Sequence, residues 1–156
     1  MRVKCSIGNN KEWNKMVIRK AVIEDWKQIS SLLDQLDYSN TESFIKEKLE
    51  ALLSNPNEEL LIFEESNQVI AFISMHFIPQ LALKGDFARI SYFAVDQHIR
   101  SKGLGRKIEE YCTNLAIERK CDRIEVHCHS RRTDAHRFYM RQGYSESPKY
   151  FIKMLA

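Results

Sequence analysis

The sequence has little glycine and proline, five and three residues in 156, which excludes a collagen-like repeat and a proline-rich chain. Its four cysteines, Cys5, Cys112, Cys121 and Cys128, form no Cys-x-x-Cys pair. Neither a disulfide framework nor a structural zinc is expected from them, and no metal is assigned. No apolar run approaches the roughly 18 residues that cross a bilayer. The stretch Met1–Lys15 lacks the apolar centre of an export signal, so the expectation is a soluble, cytoplasmic chain without a membrane partner. A net charge of +3 is too small to argue for nucleic acid, whose dedicated binders carry a larger basic excess. What is present, 44% hydrophobic and 29% charged residues, suits one globular domain around one core.

Residues 1–15 show no hydrophobic period and read as an N-terminal extension to a single domain over 16–156. Met16–Arg19 reads as a first strand. Glu24–Leu36 and Thr41–Leu53 place apolar residues at the three-and-four spacing of amphipathic helices, the second stopped by Asn55-Pro56-Asn57. Leu60–Glu64 and Val69–Phe77, parted by the polar Glu65–Gln68, read as a hairpin, and Phe87–Val95 as the next strand. Gly103–Arg119 carries one apolar helical stripe. Arg123–Cys128 reads as a strand, Thr133 as the cap of a short helix ended by Gly143, and Lys149–Leu155 as a last strand. This order predicts an α+β fold: a mixed sheet with helices on both faces.

The segment Tyr92-Phe93-Ala94-Val95-Asp96-Gln97-His98-Ile99-Arg100-Ser101-Lys102-Gly103-Leu104-Gly105-Arg106 carries the strongest chemical signal. A strand runs through a glycine-bearing loop straight into an amphipathic helix, so free backbone N–H groups and the positive dipole end face the loop. That arrangement binds anions, phosphate and pyrophosphate above all. The spacing R-x-x-G-x-G is neither a Walker loop nor a dinucleotide fingerprint, and a helix start that merely holds two glycines has the same pattern.

Together with Ala135-His136-Arg137-Phe138-Tyr139-Met140-Arg141-Gln142-Gly143-Tyr144, which is similar to an A-x-x-F-Y-x-x-x-G-[FY] element, the loop resembles the GNAT superfamily of acyl-CoA-dependent N-acyltransferases. The resemblance covers residues 16–155. The run Asp134–Tyr144 looks closest to the aminoalkylphosphonate N-acetyltransferases within it. The resemblance implies a three-layer fold with a mostly antiparallel sheet splayed around an acetyl-CoA cleft, between the strands at Phe87–Val95 and Arg123–Cys128. Backbone groups of Phe93 and Val95 would pair with the pantetheine arm. N–H groups from Arg100, Ser101, Lys102, Gly103, Leu104 and Gly105 would hold the pyrophosphate, with charge from Arg106 and Lys107 and a nucleotide-phosphate contact from Arg131, Arg132 or Arg137. The family commonly has Asn near position 132.

By the same resemblance Tyr139 would be the general acid, protonating the departing thiolate, while the amide of Phe93 would polarise the thioester carbonyl. Such acid catalysis is typically worth about 10²–10⁴-fold. The strand position that often carries glutamate in the family holds Tyr92, a poor base at neutral pH. Asp86, His127, His129 or a water relay remain for removing the ammonium proton, and the first three double as candidate substrate contacts. Cys128 as a ping-pong nucleophile fits less well than direct transfer in a ternary complex. Asp34, Asp37, Tyr38, Gln80 and Asp86 offer polar groups to an acceptor. The leading acceptor class is a small-molecule primary amine of amino acid, aminophosphonate or polyamine type. A peptide N-terminus or protein lysine is the alternative, as is a CoA-binding module without catalysis. Many members of the superfamily are dimers, which the resemblance extends to this chain.

Overall fold

The structure, a computed structural model, describes residues 16–99, 103–147 and 149–155; the extension expected over 1–15 lies outside them. Five strands form one sheet in the order β1-β2-β3-β4-β5. They are β1 (Met16–Lys20), β2 (Glu58–Glu65), β3 (Gln68–Ile78), β4 (Phe87–Val95) and β5 (Arg123–Val126). The first four pair antiparallel and β5 runs parallel to β4. The β2–β3 turn holds Ser66 and Asn67 at φ 51° and 62°, the doubly left-handed pair whose twist matches a two-residue hairpin.

The apolar run Leu60–Phe63 is buried on both faces, as in a sheet covered twice. Leu60 and Ile62 pack with Ile29, Leu32, Ile45 and Leu49, which come from α1 (Trp26–Asp34) and α2 (Ile45–Ser54). Leu61 and Phe63 pack with Leu104, Ile108, Cys112 and Ala116, the inward stripe of α3 (Leu104–Glu118). The sheet is therefore the middle of three layers. Short 3-10 turns, Ile23–Asp25 and Thr41–Ser43, precede α1 and α2.

β4 changes character halfway. Tyr92 pairs with Ser74 and Ile90 with Met75, so Ser91 is an extra residue, a bulge that bends the strand. It also reverses which side chains face which layer. Ala88 and Ile90 belong to the α3 layer, where Phe93 and Val95 join them, whereas Ala94 packs with the α1 and α2 layer. The ladder between β4 and β5 covers only Phe87–Ile90 against Arg123–Val126. It stops at the bulge, and the two strands part there.

Three expectations need correction. The strand expected over Arg123–Cys128 ends at Val126, so His127 and Cys128 lie beyond it, as does His129. Thr133 is the first residue of α4 (Thr133–Arg141) rather than its cap, a position held by Arg132 with no side-chain capping bond. Residues 149–155 form no strand. Phe151 and Ile152 are 92% and 70% exposed. Their pattern suits a strand, but the neighbouring outer edge belongs to β5, whose four residues offer a short ladder, and Tyr150 stacks on His127 beyond its end instead.

Candidate active site

Where β4 and β5 part, a cleft of about 1620 Å³ opens. That exceeds the roughly 300–1,000 Å³ of a pocket for one drug-sized ligand, and gives room for an extended cofactor and an acceptor together. Phe93 and Val95 line it from β4, and Gly103, Leu104, Gly105 and Arg106 from the start of α3. Arg100, Ser101 and Lys102 lie outside the described residues.

The α3 start is shaped by its two glycines for different reasons. Gly103 caps the helix at φ 77° with no atom within 4 Å of a would-be Cβ, so the left-handed backbone rather than space selects glycine there. At Gly105 a Cβ would sit 3.2 Å from Cε2 of Phe138. The close approach is thus of α3 to α4 and not only of backbone to a ligand. It leaves the first-turn N–H groups, which have no intrahelical acceptor, at the cleft wall.

Phe138 meets Phe93 edge to face at 6.1 Å and Tyr139 at 5.1 Å. Tyr139 in turn meets Tyr144 at 5.3 Å. This aromatic row carries the Tyr139 phenol into the cleft. Burial, then the neighbouring Cys128, Cys112 and Glu109, push its pKa far above that of an ordinary tyrosine, against a smaller opposing pull from Arg132. The group is therefore a fully protonated donor at neutral pH. Burial also raises the Cys128 thiol, with Arg132 only partly offsetting it, which keeps Cys128 from being a ready thiolate nucleophile.

On the opposite wall Tyr38, from the loop after α1, meets Tyr92 edge to face at 5.3 Å. The bulge turns Tyr92 toward that layer. Burial, then Tyr38, raises the Tyr92 pKa as well, so it is a donor and not a base. Arg132 donates to the backbone carbonyl of Leu36 and lies 3.9 Å from Asp37, which also faces Arg131 at 3.4 Å. These contacts tie the loop after α1 to the start of α4 across the cleft mouth. The Arg132 head that the sequence assigns to a phosphate is thus engaged with protein.

His127 and His129 are exposed cleft residues. His129 Nδ1 accepts the Arg131 N–H at 3.2 Å. Asp86 is not part of the cleft: it precedes β4 at the closed end, where its carbonyl accepts the Asp122 N–H at 2.9 Å. Gln80 bonds the Ile78 carbonyl, and Asp34 does not line the cleft. Among the described residues no group of histidine, cysteine and carboxylate side chains could hold a metal. The sequence reading missed Glu109, a buried carboxylate on α3, and Tyr144 as its partner. The faint signal was a carboxylate next to the buried stripe of α3 with Thr113 four residues on.

A sheet splayed at a bulge, a helix start aimed into the gap and a phenol across it define a class of acyl-CoA-dependent transferases. Residues 22–144 match the acetyltransferase (GNAT) family, and the chain belongs to that family. It is an acetyl-CoA-dependent N-acetyltransferase. The chain is similar to an aminoalkylphosphonate N-acetyltransferase of Salmonella typhimurium, 27% identical over 143 residues that cover 88% of this chain and 90% of that one. Among solved structures, a protein of Bacillus halodurans C-125 described as a transcriptional regulator superposes with a TM-score of 0.83 at 21% identity, covering 90% of this chain and 99% of that one. Glucosamine-6-phosphate N-acetyltransferase from Arabidopsis thaliana superposes with a TM-score of 0.76 at 23% identity, covering 90% and 99%. These two likenesses concern the fold. No helix among the described residues is long and apolar enough to cross a membrane.

Proposed function

We propose that the enzyme acetylates the primary amine of a small polar metabolite, of amino acid, aminophosphonate or polyamine type, by direct attack in a ternary complex. The observation that carries this reading is the placement of the protonated Tyr139 phenol in one cleft with the α3 start and the diverging edge of β4. Bound acetyl-CoA supplies an activated thioester. The residues at hand fit it: first-turn N–H groups of α3 with Arg106 beside them for the pyrophosphate, and Phe93 and Val95 for the amide-bearing arm.

In this reading Phe93 N–H polarises the acyl carbonyl as the acceptor nitrogen attacks it. Tyr139 donates its proton to the departing sulfur, the proton lost by the nitrogen passes to water, and water returns a proton to the Tyr139 phenolate, a route favoured by the absence of a carboxylate at position 92. The bond from carbon to nitrogen forms as that from carbon to sulfur breaks. Tyr38 and Tyr92 flank the acceptor side, and the exposed His127, His129 and Arg131 favour an acceptor that also bears an anionic group. The Salmonella relative's name points the same way.

The test is thiol release from acetyl-CoA against a panel of amino acids, aminoalkylphosphonates and polyamines. Turnover greatest for the anionic amines supports the reading. Tight acetyl-CoA binding with no turnover on any small amine, or turnover on peptides alone, rejects it.

A further inference from the structure

Glu109 is the odd residue of α3. Its neighbours Ile108 and Cys112 are fully buried in the core, and Glu109 itself is only 6% exposed. Its carboxylate accepts the Thr113 hydroxyl at 2.8 Å and the Tyr144 hydroxyl at 3.1 Å. No ion pair engages it among the described residues. A buried carboxylate whose donors, among the described residues, are all neutral is costly compared with an apolar side chain of the same volume. Packing of α3 on the sheet gives no reason for it.

Its contacts do. Tyr144 follows the end of α4, and its ring meets that of Tyr139 at 5.3 Å and 63°. A carboxylate that fixes the Tyr144 hydroxyl therefore fixes the ring against which Tyr139 rests. Both Glu109 and Tyr139 line the same cleft.

We infer that Glu109 is a positioning residue for Tyr139, holding the phenol at the departing sulfur through the Tyr144 hydroxyl and ring. The inference rests on the acid role proposed for Tyr139. Burial, first of all, raises the pKa of both tyrosine hydroxyls, and the Glu109 carboxylate adds to it at each. Thr113, one turn along α3, donates to the same carboxylate oxygen, Oε1, that accepts the Tyr144 hydroxyl.

The test measures kcat and KM by thiol release from acetyl-CoA, with 2-aminoethylphosphonate and with water as acceptors, for Glu109→Gln, Tyr144→Phe and Tyr139→Phe and for Glu109→Gln combined with Tyr139→Phe. Melting temperature and calorimetric acetyl-CoA affinity establish that each variant is folded. Glu109→Gln and Tyr144→Phe are each expected to lower kcat about fivefold while KM for acetyl-CoA stays within about twofold. On the Tyr139→Phe background Glu109→Gln is expected to add no further loss, because the two act as one unit. Tyr144→Phe removes one oxygen from a half-buried ring and keeps the test open if Glu109→Gln does not fold.

Equal losses from Glu109→Gln on the wild-type and Tyr139→Phe backgrounds overturn the inference, as does an unchanged kcat in both Glu109→Gln and Tyr144→Phe. A wild-type kcat in Tyr139→Phe alone removes the acid role, and the inference with it. The single and double variants thus separate the two failures.

Discussion

The edge of the Phe138 ring stands 3.2 Å from the place a Cβ would occupy on Gly105, so the first turn of α3 and the helix bearing Tyr139 are in contact through a glycine. The proposed anion site and the proposed proton donor are thereby held at a fixed separation. A single methyl group placed between them tests the relationship.

Gly105→Ala is expected to push Phe138 by a few tenths of an ångström, an overpacking that costs about 1–3 kcal/mol, offset in part by the up to about 1 kcal/mol by which a helix favours alanine over glycine. It should weaken acetyl-CoA binding in calorimetry and lower kcat. A variant with wild-type affinity and melting temperature would show that the contact relaxes without effect.

Tyr139→Phe keeps the ring in its aromatic row and removes only the donor. The expected result is a fall in kcat of about 10²-fold, with acetyl-CoA affinity unchanged. Single-turnover kinetics verify that the loss lies in the chemical step.

Arg132→Ala removes the bond to the Leu36 carbonyl and frees the loop that carries Tyr38. KM for the acceptor amine should rise about tenfold, whereas the acetyl-CoA dissociation constant should move by less than about twofold. The reverse pattern would restore Arg132 to the phosphate role that its sequence position suggests.

Burial, with the Glu109 carboxylate adding to it, pushes the Cys112 thiol up to about 12 from an ordinary value of 9.0. Below pH 9 the thiol is protonated in folded and unfolded chains alike, and its full stability is present. As pH rises from 9 toward 12 the unfolded chain ionises first, so stability falls. Melting temperature should decline across that window, and Cys112→Ala should flatten the first part of the slope, before the tyrosines of the unfolded chain ionise near pH 10.

Much of the fold was legible because it rests on local periodicity. The stripe Leu104, Ile108, Cys112 and Ala116 is a helix facing a core by spacing alone, and Ser66-Asn67 between two apolar runs is a turn by residue type. Lys149–Leu155 was misread for the complementary reason. An apolar pattern states what a segment could pair with, whereas a strand exists only where a neighbour offers an edge. His127 and Cys128 read as part of the strand because periodicity gives no sign that β5 stops at Val126.

The candidate site divides the same way. The R-x-x-G-x-G loop ahead of α3 and the aromatic pair Phe138-Tyr139 are legible in the chain, since both are contiguous runs recognised by residue type. That Ser91 is a bulge, that Tyr92 consequently meets Tyr38, that Arg132 reaches Leu36 and that Glu109 meets Tyr144 emerges only from the folded packing. Each of these depends on register or on contact between residues far apart in the chain, and such relationships are settled by the packing of all three layers at once.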